Sequence, residues 1–135
     1  MTKFVATDYT ISVGGVNFSP NLNSCTLDAK SEEQDTTSFG VDWKSRIGGL
    51  KDGSLSLDFQ QDFGVASVDA TLWPLLGLTV EMIISPTSAA VSATNPSYTF
   101  DVLVTEYQPF ASSVGDLATL SVSWPVTGEI VRAEL

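Results

Sequence analysis

A chain of 135 residues with 43% hydrophobic content is long enough for one domain spanning 1–135, with a core that needs neither disulfides nor metal. Sixteen acids against six bases, with no histidine, leave a formal charge of −10, which argues against phosphate-neutralising nucleic-acid binding and against anionic membrane surfaces. No apolar run is long enough to span a bilayer, the opening MTKFVATDY lacks the apolar stretch of a secretory signal, and a single cysteine, Cys25, fits a reducing cytoplasm.

The elements begin with a strand over Phe4 to Val13, with Tyr9, Ile11 and Val13 on one face. Gly14-Gly15 has hairpin-turn chemistry, and Val16-Asn17-Phe18 continues beyond it. Leu22 to Ala29 roughly alternates and reads as another strand, with Cys25 expected as a small buried residue on it. Lys30 to Thr37, KSEEQDTT, offers no core-facing side chain and is expected as a solvent-exposed loop or extended arm. Trp43 to Leu50, WKSRIGGL, then carries two of the six bases, and Lys51-Asp52-Gly53 reads as a turn.

Gly53 to Gly77 is the most informative stretch. Leu55, Leu57, Phe59 and Phe63 alternate with Ser54, Ser56, Asp58, Gln60 and Asp62, the pattern of a strand with one buried and one polar face. Helical spacing follows through Val68, Leu72 and Leu75/Leu76, with Ser67 as N-cap and Asp69 in the first turn. Pro74 should stop or kink that helix near Leu72, and Gly77 suits the residue after its end. Trp73, among leucines, reads as core.

Thr79 to Ser85 is a further strand ending at Pro86, and Pro86 to Pro96 reads as a loop. Ser97 to Tyr107 alternates again, with Tyr98, Phe100, Val102 and Val104 on one face. Leu117 to Val126 places Leu120, Val122 and Trp124 together. Thr127-Gly128 reads as a turn into a last strand, Glu129 to Ala133. The expected fold is mainly β: an antiparallel sandwich or barrel of seven or eight strands, flanked by one short helix at about Ser67 to Leu76.

The chain is poor in catalytic chemistry. Without histidine, the usual triads and zinc sites lose their base or ligand, and a lone cysteine has no base beside it. Asp58 and Asp62, about 13 Å apart along one strand, are too distant for a glycosidase pair. Asp28, Glu32, Glu33 and Asp35 do not follow the spacing of a calcium loop and read as a solvated acidic segment. No enzyme activity and no cofactor are expected.

The order of QDTTSFG, then WKSRIGGLKDGSLSLDFQQDF, then SVDATLWPLLG, and finally VGDLATLSVSWPVTG, resembles the tail tube (major tail) proteins of long-tailed bacteriophages, relatives of the type VI secretion tube protein. The resemblance runs from about Leu22 onward. It implies a virion structural protein assembled in the host cytoplasm, whose subunits form hexameric rings that stack into a hollow tube. Tape-measure and tail-tip or terminator proteins are the implied partners, with DNA passing through the lumen unbound and no membrane involved. It also implies that the loop at about Lys30 to Asp42 reaches an adjacent ring.

Six such subunits would carry about −60 in formal charge. Asp58, Gln60 and Asp62 are the candidates for a negative wall along which DNA slides. Glu32, Glu33 and Asp35, with Trp43, Lys44, Arg46 and Lys51, are the candidates for contacts between subunits or rings, where ion pairs would set register. The alternative is a monomeric β-sandwich binding module or virion decoration protein. It would not require the helix, and a lone cysteine cannot supply an immunoglobulin-type disulfide.

Overall fold

A computed structural model describes residues 5–65 and 67–134. The first expected strand begins at Phe4, which lies outside these residues. Among them the chain is mainly β, with seven antiparallel strands and one short helix. The strands are β1 (Thr10–Val13), β2 (Val16–Asn17), β3 (Leu22–Asp35), β4 (Arg46–Gln60), β5 (Thr79–Ser85), β6 (Ser97–Leu103) and β7 (Thr119–Ala133). Helix α1 is Val68–Leu72. The sheet order is β2-β1-β5-β6-β7-β4-β3.

The sheet curls around one core. Phe18, beside the β2 edge, meets Phe59 of β4 near the opposite edge, edge-to-face with ring centroids 5.7 Å apart. Side chains from both halves of the sheet share that core: Ile11, Met82 and Phe100 with Leu55, Leu57 and Trp124, closed by Val68 and Leu72 of the helix. Period-two alternation explains the division, since the partners Leu55↔Trp124, Leu57↔Val122 and Phe59↔Leu120 all point inward. The Trp124 indole N–H is satisfied by the Glu106 carbonyl at 2.9 Å.

β7 joins the two halves by changing partner. Thr119–Pro125 pairs with β4, whereas Val126–Ala133 runs beside β6. Thr127-Gly128 is therefore no turn between strands. It lies inside one continuous strand, where Gly128 (φ 95°) accompanies a shift in the β6 register between Thr99 and Asp101. The Gly14-Gly15 hairpin is as expected, with φ of 56° and 91° between β1 and β2.

A second expected turn also dissolves. Lys51, Asp52 and Gly53 sit within β4 opposite Ser31, Lys30 and Ala29, so β4 runs unbroken from Arg46. Lys30 to Asp35 is likewise strand and not loop, and the polar segment is the far half of β3. Local turn chemistry is overridden by the cross-strand ladder. The result is the arm alternative in ordered form: a two-stranded hairpin whose far half is exposed throughout.

Pro74 acts as expected. The α-helix ends at Leu72, a 3-10 turn covers Trp73–Leu75, and Gly77 follows with φ 85°. The tightening turns Trp73 outward, so it is 59% exposed and not core, packed obliquely on Tyr107 instead. Leu76, expected on the helix's apolar face, is exposed, while Leu75 is partly buried. Ser67 precedes the helix but makes no side-chain cap to it. Phe63 also leaves the buried face, because β4 ends at Gln60 and alternation ends with it; its ring stacks on exposed Phe110.

Candidate assembly surfaces

The outer face of the β3-β4-β7 layer is built from small hydroxyls around the Asp58 carboxylate, with Asp28 opposite Ser54 further along. Register places Ser24 and Ser121 on either side of Asp58, and Thr26 and Ser123 on either side of Ser56. Ser121 donates to Asp58 Oδ1 at 2.5 Å and Ser24 to Oδ2 at 2.7 Å. These two bonds hold the Asp58 carboxyl below its ordinary range, the Ser121 bond being the larger cause. Gln60 extends the face and donates to Asn23 at 2.9 Å. No base stands at any of these paired positions, so the surface keeps its charge yet offers no cation to a phosphate.

Asp62 does not belong to that face. It lies beyond the end of β4, and its Oδ1 accepts the Gly64 N–H at 2.8 Å. Its carboxyl is held low first by Ser67 and then by the Gly64 amide. The residue shapes the turn that leads into α1. The expected single face carrying both Asp58 and Asp62 is thus divided between a sheet surface and a turn.

The arm gathers every residue singled out as a contact candidate. Glu32, Glu33 and Asp35 lie on its β3 side, Arg46 and Lys51 on its β4 side, and Trp43 and Lys44 in the connecting tip. Arg46 Nε pairs with Glu33 Oε1 at 3.3 Å within the same chain. The tip is anchored by Thr36 and Ser45, joined by the Thr36 N–H to the Ser45 carbonyl at 2.9 Å and by their hydroxyls at 2.7 Å. Asp35 accepts the Thr37 N–H, and its bonds to Thr37 hold its carboxyl low.

Large apolar side chains crowd this arm without cover. Phe39, Val41, Trp43, Ile47 and Leu50 are all exposed, Trp43 by 87%. Their signal is present in the sequence, but only the ladder shows that they share one projecting element. Lys30 and Lys51 near the arm base, with Asp52, Glu129 and Arg132, line an open groove of mixed charge.

A second, uncharged cleft of about 310 Å³ opens under β3, lined by Tyr9, Cys25, Leu27, Ile84, Pro86 and Tyr98. Cys25 is half-buried there and not wholly buried, and desolvation pushes its thiol up to about 11, which keeps it mostly protonated at neutral pH and slow as a nucleophile. The cleft joins residues far apart in sequence, so no local pattern marks it. Among the described residues no group of three His, Cys, Asp or Glu side chains is placed to hold a metal ion.

No family model matches the chain, and no curated protein matches it in sequence. Among solved structures, a chain of the "virion of native gene transfer agent (GTA) particle" superposes with a TM-score of 0.74 at 15% identity. The match covers 93% of this chain and 95% of that one. The curled seven-stranded sheet with its short helix is therefore a fold shared with a component of a gene transfer agent virion.

Proposed function

We propose that this protein is a virion structural subunit of the tail tube type, assembling into hexameric rings that stack into a hollow tube through which DNA passes. The observation that carries the reading is the β3–β4 arm. An ordered hairpin with exposed Phe39, Trp43 and Ile47 buries nothing in its own subunit, and its aromatic surface has a use when another subunit covers it. The fold shared with a gene transfer agent virion chain supports the same reading.

The Asp58 face supplies the lumen in this reading. Serine and threonine hydroxyls hold water, Asp58 repels phosphate, and no lysine or arginine at the positions paired with Ser56 and Asp58 grips it. Tape-measure and tail-end proteins are the further partners, and the virion tail is the location. Catalysis has no part in this reading.

Negative-stain electron microscopy of the purified chain, with light scattering over a concentration series, tests the proposal. Rings or hollow tubes of uniform bore are expected. A species that stays monomeric at every concentration would sink it and favour the decoration-module reading.

A further inference from the structure

We infer that the uncharged cleft under β3 is the receptor for the arm tip of a second copy of this chain, with Trp43 as the inserted anchor. The inference rests on the tube reading and names the surface that the arm would meet. The tip cannot reach its own cleft. From the Leu27↔Leu55 pair at the cleft to the Asp35↔Arg46 pair at the tip, the ladder runs eight residues, or about 27 Å of stiff hairpin pointing away. Phe39 and Trp43 can therefore be covered only in trans.

Charge selects the occupant. Residues 36–45 contain one acid, Asp42, and one base, Lys44, so the tip is neutral on a chain of −10. Among the described residues no carboxylate, lysine or arginine lines the cleft. These two apolar, uncharged surfaces can meet between copies that otherwise repel one another. The larger groove at the arm base is lined by Lys30, Lys51, Asp52, Glu129 and Arg132, and burying an indole there would strand charges. A cleft of about 310 Å³ is at the small end of binding cavities and suits an aromatic side chain. Tip and cleft are different surfaces of one chain, so their union is head-to-tail and propagates.

Cys25, the sole cysteine, stands in the cleft as a reporter. Val41→Cys puts a second thiol on the tip while keeping Trp43. Dilute protein treated briefly with excess short bismaleimide is capped at the exposed tip thiol while the slower Cys25 is spared. On assembly at mildly alkaline pH the tethered second maleimide is expected to reach Cys25 and give a ladder of covalent multimers. Val114→Cys, fully exposed on the loop before β7, should give none. Adding Trp43→Ala should cut the Val41→Cys ladder at least tenfold, and Cys25 of the wild type should alkylate at least tenfold more slowly assembled than dilute. Trp43 is 87% exposed, so its replacement leaves the fold intact.

Tubes that form with no ladder above the Val114→Cys background would overturn the cleft assignment and leave the tube reading standing. A ladder from protein that forms no tube upholds the docking and removes the tube. Neither tubes nor ladder overturns both, and a product that stops at the dimer overturns head-to-tail propagation. Protection of Cys25 by a foreign protein but not by this chain would overturn the choice of occupant.

Discussion

Tyr107 donates a 2.6 Å hydrogen bond to Asp69 Oδ1, and Gln61 donates to the same phenol oxygen at 3.1 Å. Three segments meet at that oxygen: the end of β4, helix α1 and the chain after β6. The junction adds to the burial of Val68 and Leu72 and to the Asp69 N–H bond to the Asp62 carbonyl in fixing the short helix. Burial, with the Asp69 bond second, pushes the Tyr107 phenol up to about 12 from 10.0.

Because the folded phenol titrates above the unfolded one, its contribution to stability is complete below pH 10 and is lost as pH rises toward about 12. Tyr107→Phe is expected to cost about 1–2 kcal/mol at neutral pH. In urea titrations at pH 8 and 11, the wild type should lose more stability than this variant. Equal losses would show that the junction does not depend on the phenol.

The Phe18–Phe59 contact closes the curl from edge to edge, and Phe18 is 2% exposed. Phe18→Ala leaves a cavity there and should cost about 3–5 kcal/mol in denaturant unfolding. Trp43→Ala at the arm tip should change unfolding of the isolated subunit by less than about 0.5 kcal/mol. The pair separates a residue that holds the fold from one whose side chain is left exposed by it.

Much of this core was legible locally. Alternation from Leu55 to Phe59 named the buried face of β4, and Pro74 named the end of α1. Lys51-Asp52-Gly53 has turn composition, but its ladder with β3 holds it in strand, whereas Thr127-Gly128 places its turn chemistry in a bulge inside β7. The period-two face of β4 stops at Gln60, short of Phe63, and Trp73 lies among leucines but in a 3-10 turn that carries it outward. The Asp58 setting depends on Ser121, and the cleft on Tyr98 and Ile84; distant partners leave no mark on local sequence.

Gly53 is needed for close approach at the arm base. A Cβ there would stand 2.8 Å from the Asp28 carbonyl oxygen and 3.1 Å from Ile130 Cδ1. Gly53→Ala must therefore shift backbone and should cost about 1–3 kcal/mol, read as a lower thermal midpoint. Gly49→Ala, whose nearest neighbour is the Glu32 side chain at 3.2 Å, should cost less. Equal midpoints would show that the arm base flexes.

Asp58→Asn tests the carboxylate face. The folded carboxyl titrates below the unfolded one, so its contribution is present above pH 3.8 and lost as pH falls through the lowered folded value. The stability gap between wild type and Asp58→Asn should vanish in acid. For the proposed lumen, Asp58→Lys with Gln60→Lys is the appropriate pair, since replacing Asp62 would also disturb the turn at Gly64. Assembly should be retained and DNA ejection slowed, more so at low salt. Loss of assembly would place this face in a contact.

The change of partner along β7 has a consequence for biosynthesis. Its first half completes the β3-β4 layer and its second half completes the β1-β5-β6 layer, so neither layer is finished until residues 119–133 have left the ribosome. A nascent chain ending before β7 exposes Leu57, Phe59, Phe100 and Val102 without their central strand. Closure of the core is thereby deferred until synthesis has passed that strand.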